Sequence, residues 1–321
     1  MNKLKRVVIV WGLLSLPTFA VAQPCEIKVI TDMWFRAMTE MASEKEYPEV
    51  IILENDTLQV WSVPNRGRII LDLVYKPTGH SQLFSERSPL PLKFRKLYTF
   101  EFGGIYSSFP WHKRDNVPLP LSVAQSEGGE TCGVVMQVED PETKLRVQTT
   151  ISLLPSSAEC LITTSMRNPT QRDQTINYSL IICARPGGYA TDDTEVFVPI
   201  AAVKVGQSDG EWMGKVGSEV SWPTPWSRWG NFKGAGSFSL STGALSTPEI
   251  IVYNPQTREE LRLRWLPTDP WTSCEVFSWG PGYRTVMGAF DGFRIELQAE
   301  NISLAPGMEQ SLHLYVGVGP R

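Results

Sequence analysis

From Val50 onward the chain alternates apolar and polar positions with a period of two, in short runs separated by turn residues. Leu58-Gln59-Val60-Trp61-Ser62-Val63 is one such run; Arg68 to Tyr75 is the next, with Ile69, Leu71, Leu73 and Tyr75 expected on one face. Pro64-Asn65-Arg66-Gly67 supplies a tight connection between them, and Lys76-Pro77-Thr78-Gly79 closes the second run. Proline presets φ in such turns, while glycine and asparagine tolerate the left-handed region. The rhythm returns at Val134 to Val138, Leu145 to Leu153, Leu161 to Met166 and Ile176 to Cys183, the last two separated by Arg167-Asn168-Pro169-Thr170. It resumes at Glu249 to Tyr253, Leu261 to Trp265, Thr285 to Phe290, Phe293 to Leu297 and Ser311 to Val318. Many short strands with almost no long helical pattern predict an all-β sandwich or barrel. No Ser/Gly/Pro linker divides the chain, so residues 50–321 read as one large antiparallel β-sandwich domain.

Three stretches break the rhythm. In the lead-in of residues 23–49, CEIKVIT looks extended, whereas Ile30, Trp34, Ala37, Met38 and Met41 fit one helical face. Glu101 to Pro120 holds a glycine pair, a Phe-Pro-Trp cluster and His112, and predicts a long, ordered aromatic loop. Residues 206–236 carry Trp212, Trp222, Trp226 and Trp229 with Pro223 and Pro225, and predict an irregular Trp-rich insertion. Loops held on a rigid scaffold are where binding sites concentrate.

The first residues change the picture of where the protein works. Lys3, Lys5 and Arg6 precede an apolar run from Val7 to Leu16 and then Ala20-Val21-Ala22, the layout of a secretory signal peptide over residues 1–22. The run is short for a bilayer span, and no later segment is apolar enough to cross one. The expectation is export to the periplasm or beyond. A net charge of −4 without charge blocks argues against nucleic acid or anionic lipid as the main partner. The five cysteines contain no CxxC pair, which argues against structural zinc and leaves disulfides open without choosing their pairing. The histidines are too scattered for a metal cluster, so neither metal nor cofactor is expected. Eleven tryptophans are many for a chain of 321 residues; in an exported protein, exposed aromatic rings hint at sugar binding.

Three places together resemble the galactose mutarotase-like superfamily, the large sandwich shared by aldose epimerases. Glu54 to Val60 followed by Pro64-Asn65-Arg66-Gly67-Arg68-Ile69 is similar to its opening strand pair. Gly103-Gly104-Ile105 through Phe109-Pro110 resembles its glycine-pair and Phe-Pro segment, and Leu304-Ala305-Pro306-Gly307-Met308-Glu309 its closing turn. The resemblance implies a sugar site in which a histidine and a glutamate act as acid and base across the anomeric centre. Ile176 to Cys183, the stretch most comparable to the family's histidine strand, has no histidine. Cys274-Glu275-Val276-Phe277-Ser278-Trp279 resembles the family's late glutamate segment.

The candidate catalytic residues are therefore His112, in the first aromatic loop, and Glu275. Candidate sugar-binding residues are Arg68 and Arg185, whose planar guanidinium can fork onto hydroxyls, and Trp111, Trp226, Trp229 and Trp279, whose rings can cover a pyranose face. His80 and His313 read as surface residues. The functional expectation is an exported carbohydrate-binding protein, acting on or epimerising a sugar at its anomeric centre. The alternative is a non-catalytic interaction module that uses the Trp-rich insertion.

Overall fold

A computed structural model describes residues 25–31, 49–84, 91–94, 97–100, 103–109, 111–112, 117–283 and 291–321. The expected leader, the helical part of the lead-in and the 285–290 run lie outside the described residues.

The alternating runs are strands. The chain opens with β1 (Glu26–Ile30), β2 (Val50–Glu54), β3 (Leu58–Val63), β4 (Arg68–Tyr75) and β5 (His80–Ser81). Short pieces follow: β6 (Pro91–Phe94), β7 (Leu97–Phe100), β8 (Ile105–Ser107), β9 (Trp111–His112) and β10 (Val117–Pro118). Next come β11 (Ser122–Glu127), β12 (Cys132–Glu139), β13 (Arg146–Leu153), β14 (Glu159–Arg167) and β15 (Gln174–Ala184). After these lie β16 (Glu195–Phe197), β17 (Ala202–Ser208), β18 (Glu219–Ser221), β19 (Gly236–Ser241) and β20 (Glu249–Asn254). The chain ends with β21 (Glu259–Arg264), β22 (Ser273–Ser278), β23 (Phe293–Leu304) and β24 (Glu309–Pro320). Glu101 to Pro120, expected as one loop, thus contains β8 and the β9–β10 ribbon.

Two large antiparallel sheets result. The larger runs β1-β2-β3-β4-β8-β15-β23-β22-β19-β17-β18, with β5 beside β4; the smaller runs β11-β12-β13-β14-β24-β21-β20-β16. Their registers explain why they stack. Ile70, Ile105, Ile182, Ile295, Val276, Phe238 and Val205 pair successively across the larger sheet, and all are buried in the main core. Val134, Ile151, Ile162 and Leu314 form a matching row across the smaller one. Because side chains alternate between faces, such rows turn one side of each sheet apolar and drive face-to-face packing. Tyr178 joins the layers: its buried hydroxyl lies 3.2 Å from Thr164 Oγ1, and burial pushes its pKa up to about 12.

The β4 expectation needs correction. Opposite the step from Trp61 to Val63, β4 advances from Asp72 to Arg68, so the strand is bulged. Ile69 and Ile70 consequently both enter the main core, while Leu71 packs with Val50, Ile52 and Val63 in a separate cluster. The same bulge turns Arg68 to the outside of the sandwich, where it meets Tyr106.

At the start of the chain, a Cys25–Cys132 disulfide ties the lead to β1 onto β12. Glu54 receives hydrogen bonds from Lys28 at 2.8 Å and Lys76 at 2.7 Å. Burial works to raise the Glu54 pKa, but the two lysines outweigh it and hold it down at about 2.

Candidate functional site on the outer face of the larger sheet

Since Ile105, Ile182, Ile295 and Val276 point inward, the residues one step along each strand point outward. Tyr106, Ile181, Glu296 and Glu275 form one outward cross-strand row, and Cys183, Arg294 and Phe277 form the next. Strand order brings together residues that lie far apart in the chain.

One half of this face is apolar. Phe84, Tyr106, Ile181 and Cys183 form a buried cluster, with Trp279 packed against it. The Arg68 guanidinium sits 4.1 Å over the Tyr106 ring, and that of Arg185 sits 5.0 Å over Phe84. Flat guanidinium on an aromatic face combines cation–π attraction with good packing. Arg185 Nη1 also donates to Asp291 Oδ1 at 2.8 Å. Its backbone N–H donates to the Gln82 carbonyl, which fixes where the side chain starts. Phe277 and Trp279 stand edge to face with centroids 4.5 Å apart.

The other half is polar. Arg294 Nη2 donates to Glu296 Oε2 at 3.0 Å, and Gln298 Nε2 donates to Glu296 Oε1 at 3.3 Å. Ser273 Oγ donates to Gln298 Oε1 at 2.8 Å, completing a ladder over β22 and β23. Glu275 stands outside that ladder. It is half-buried, directly opposite Glu296, and makes no hydrogen bond or ion pair with the described residues. On the core side, Cys274 is fully buried; burial first, then the Glu275 and Glu296 charges, push its thiol pKa well up, so the thiol is inert.

Four sequence-predicted residues, Arg68, Arg185, Glu275 and Trp279, are brought to this one face. Trp226 and Trp229 are not: they are 8% and 0% exposed and belong to the main core, so neither offers a face to a sugar. The other two Trp rings of the segment are partly buried against the main core, Trp222 against Phe238 and Trp212 against Phe232. Trp111 and His112 occupy β9, and their side chains lie outside the described residues. His80 and His313 are not idle surface residues. His80 Nδ1 lies 2.6 Å from the buried carboxylate of Glu259, and His313 Nδ1 lies 3.0 Å from Asp269. Sequence reasoning missed Arg294, Glu296 and Phe277 as site residues; the alternation Phe293-Arg294-Ile295-Glu296-Leu297 marks Arg294 and Glu296 as sharing a polar strand face, but not which surface that face builds.

This arrangement suits neutral polyol chemistry. An uncommitted carboxylate accepts hydroxyl protons, an arginine–carboxylate ladder presents fixed donors and acceptors, and a half-buried indole beside them covers C–H surface. Arg185 and Arg294 are already paired with Asp291 and Glu296. Among the described residues, no group of three or more His, Cys, Asp or Glu side chains could hold a metal ion. A cavity of about 750 Å³ at the far edge, between β16 and β18, is lined by Phe197, Ile200 and Trp222 and lacks such a ladder.

The family described as Domain of unknown function (DUF5107) matches residues 27–225. No curated protein matches the sequence. Among solved structures, a TPR-domain containing protein from Parabacteroides distasonis is similar with a TM-score of 0.71 at 15% identity, over 92% of this chain and 55% of that one. The chain thus spans about half the length of that relative. The Slr1438 protein from Synechocystis sp. PCC 6803 gives a TM-score of 0.64 at 10% identity, covering 88% of this chain and all 100% of its own. A galactose mutarotase-like protein from Clostridium acetobutylicum gives 0.58 at 12% identity, over 93% of this chain and 99% of that one. At such identities the likeness shows the fold, which is the galactose mutarotase-like sandwich.

Proposed function

The chain belongs to the DUF5107 family, and on that premise we propose an exported carbohydrate-binding protein whose sugar site is the polar half of this outer face. The observation that carries the proposal is the contrast between two adjacent carboxylates. Glu296 is held by Arg294 and Gln298, while Glu275, opposite it, has no partner among the described residues. Leaving a half-buried carboxylate unpartnered costs stability, and a ligand hydroxyl offsets that cost.

In the proposed complex, Glu275 accepts a sugar hydroxyl, Arg294 and Gln298 position the ring through their shared carboxylate, and Trp279 covers one C–H face. If the bound hydroxyl is the anomeric one, Glu275 is the base of a ring-opening epimerisation, which also needs an acid at the ring oxygen. His112 is the proposed acid from the sequence. A second reading, binding without turnover, is favoured by the fact that His80 and His313 are committed to Glu259 and Asp269 elsewhere. Export is supported by the Cys25–Cys132 disulfide, a bond that persists in oxidising compartments.

NMR exchange spectroscopy of glucose and galactose anomers tests both readings. Accelerated exchange that disappears in Glu275→Gln supports epimerisation. Binding without acceleration supports the second reading. Neither binding nor acceleration across a panel of neutral sugars would sink the proposal.

A further inference from the structure

Glu275 and Glu296 stand directly opposite on β22 and β23, where like charges repel. Glu296 is fixed by Arg294 and Gln298, so the repulsion acts on Glu275. Glu275 leans the other way, across β19 towards β17, and its Oε1 lies 3.3 Å from the point where a Cβ on residue 206 would stand. There β17 is bulged: Val205 pairs with Phe238 and Ser208 with Gly236, so Gly206 and Gln207 together face Ser237. The Gln207 N–H donates to Ser237 Oγ at 2.9 Å, and that oxygen would be 2.3 Å from a Cβ at 206. Gly206 does not have a left-handed φ. A side chain is therefore excluded here by space rather than by backbone conformation.

The geometry points to Gly206 as a positioning residue for the candidate site: its bare backbone in the β17 bulge is the floor that lets Glu275 hold its carboxylate apart from that of Glu296. This deepens the sugar-site reading and rests on it. With the two carboxylates held apart, the Glu275 oxygens stay open to a ligand hydroxyl. Pressed together, they would titrate as a pair, with one proton retained to higher pH. The other charged groups facing Glu275 are Arg294 on β23 and Lys204 on β17, which shares its row through Ser239; Glu219 on β18 lies beyond Lys204. From β15 the facing positions are the uncharged Ile181 and Cys183.

The test is a carbon-13 NMR titration of the Glu275 carboxyl, assigned by its loss in Glu275→Gln. Gly206→Val is made alone and with Ser237→Ala, which relieves the clash with Oγ; Ser237→Ala alone is the reference, and Gly206→Ala is the milder variant should valine unfold the protein. The Glu275 midpoint rises by about half a unit or more with valine, less with alanine, and falls back when Glu296→Gln is added. An unchanged midpoint in Gly206→Val/Ser237→Ala, or a rise that survives Glu296→Gln, overturns the assignment. Sugar binding by the wild-type protein is measured separately. Its absence overturns the sugar reading, while the titration alone decides the role of Gly206.

Discussion

The two halves of the outer face use the same strand geometry and end differently. On the β8 and β15 side, Phe84, Tyr106, Ile181 and Cys183 are at most 4% exposed and form a small core of their own outside the sandwich, with Arg68 and Arg185 stacked on its rings. On the β22 and β23 side, the Arg294 and Glu296 side chains keep 25% and 16% of their surface, and polar groups hold one another in a ladder. An outward strand face is thus not a surface by default. Aromatic rings under guanidinium groups close one half, and charges that need water or a ligand keep the other open.

The strongest way to break this comparison is Phe84→Ala. If the apolar half is a core, the variant loses about 3–5 kcal/mol in denaturant unfolding. A loss under about 1 kcal/mol would show that half to be ordinary surface. Arg185→Ala removes both the stack on Phe84 and the hydrogen-bonded pair with Asp291, at a cost of about 2 kcal/mol. Arg185→Lys recovers only part of this, because lysine keeps the charge without the flat stack.

Glu54 shows what a carboxylate with saturated partners does, and so sharpens the contrast with Glu275. Its pKa falls from an ordinary 4.5 to about 2 on folding, so its contribution is present above pH 4.5 and lost as pH drops from there through about 2. With Lys28 half exposed, about 1–2 kcal/mol is at stake. Stability measured over that window flattens in Glu54→Gln.

The strand rhythm made the sandwich legible, because a period of two leaves few alternatives and the turns at Pro64–Gly67 and Lys76–Gly79 carry their own chemistry. The β4 bulge was not legible: nothing in RIILDLVY says that Ile69 and Ile70 share a side. Arg68 and Arg185 stand out beside glycine-containing turns, and Glu275 and Trp279 within the segment that resembles the family's late glutamate stretch. Arg294 and Glu296 do not, since their importance depends on β23 lying between β15 and β22, an order that alternation cannot reveal. Trp226 and Trp229 mislead for a similar reason, as a large ring serves a core and a sugar platform equally well. His80 and His313 look idle because their partners lie 179 and 44 residues away.

The smallest expected effect on stability accompanies the largest on function. Glu275→Gln leaves unfolding unchanged or raises stability by up to about 1 kcal/mol, as it removes a half-buried charge that faces Glu296 and has no described partner to lose. A charge-assisted hydrogen bond to a sugar hydroxyl is worth about 1.5–3 kcal/mol, or roughly a tenfold to hundredfold change in affinity. Titrating wild type and Glu275→Gln with neutral monosaccharides by NMR, at matched thermal stability, is the most direct measurement. The account predicts saturable shifts at β22 and β23 signals in the wild type and a drop in affinity of at least about tenfold in the variant. Equal affinity in the two proteins, or shifts confined to the β16–β18 edge, would contradict it.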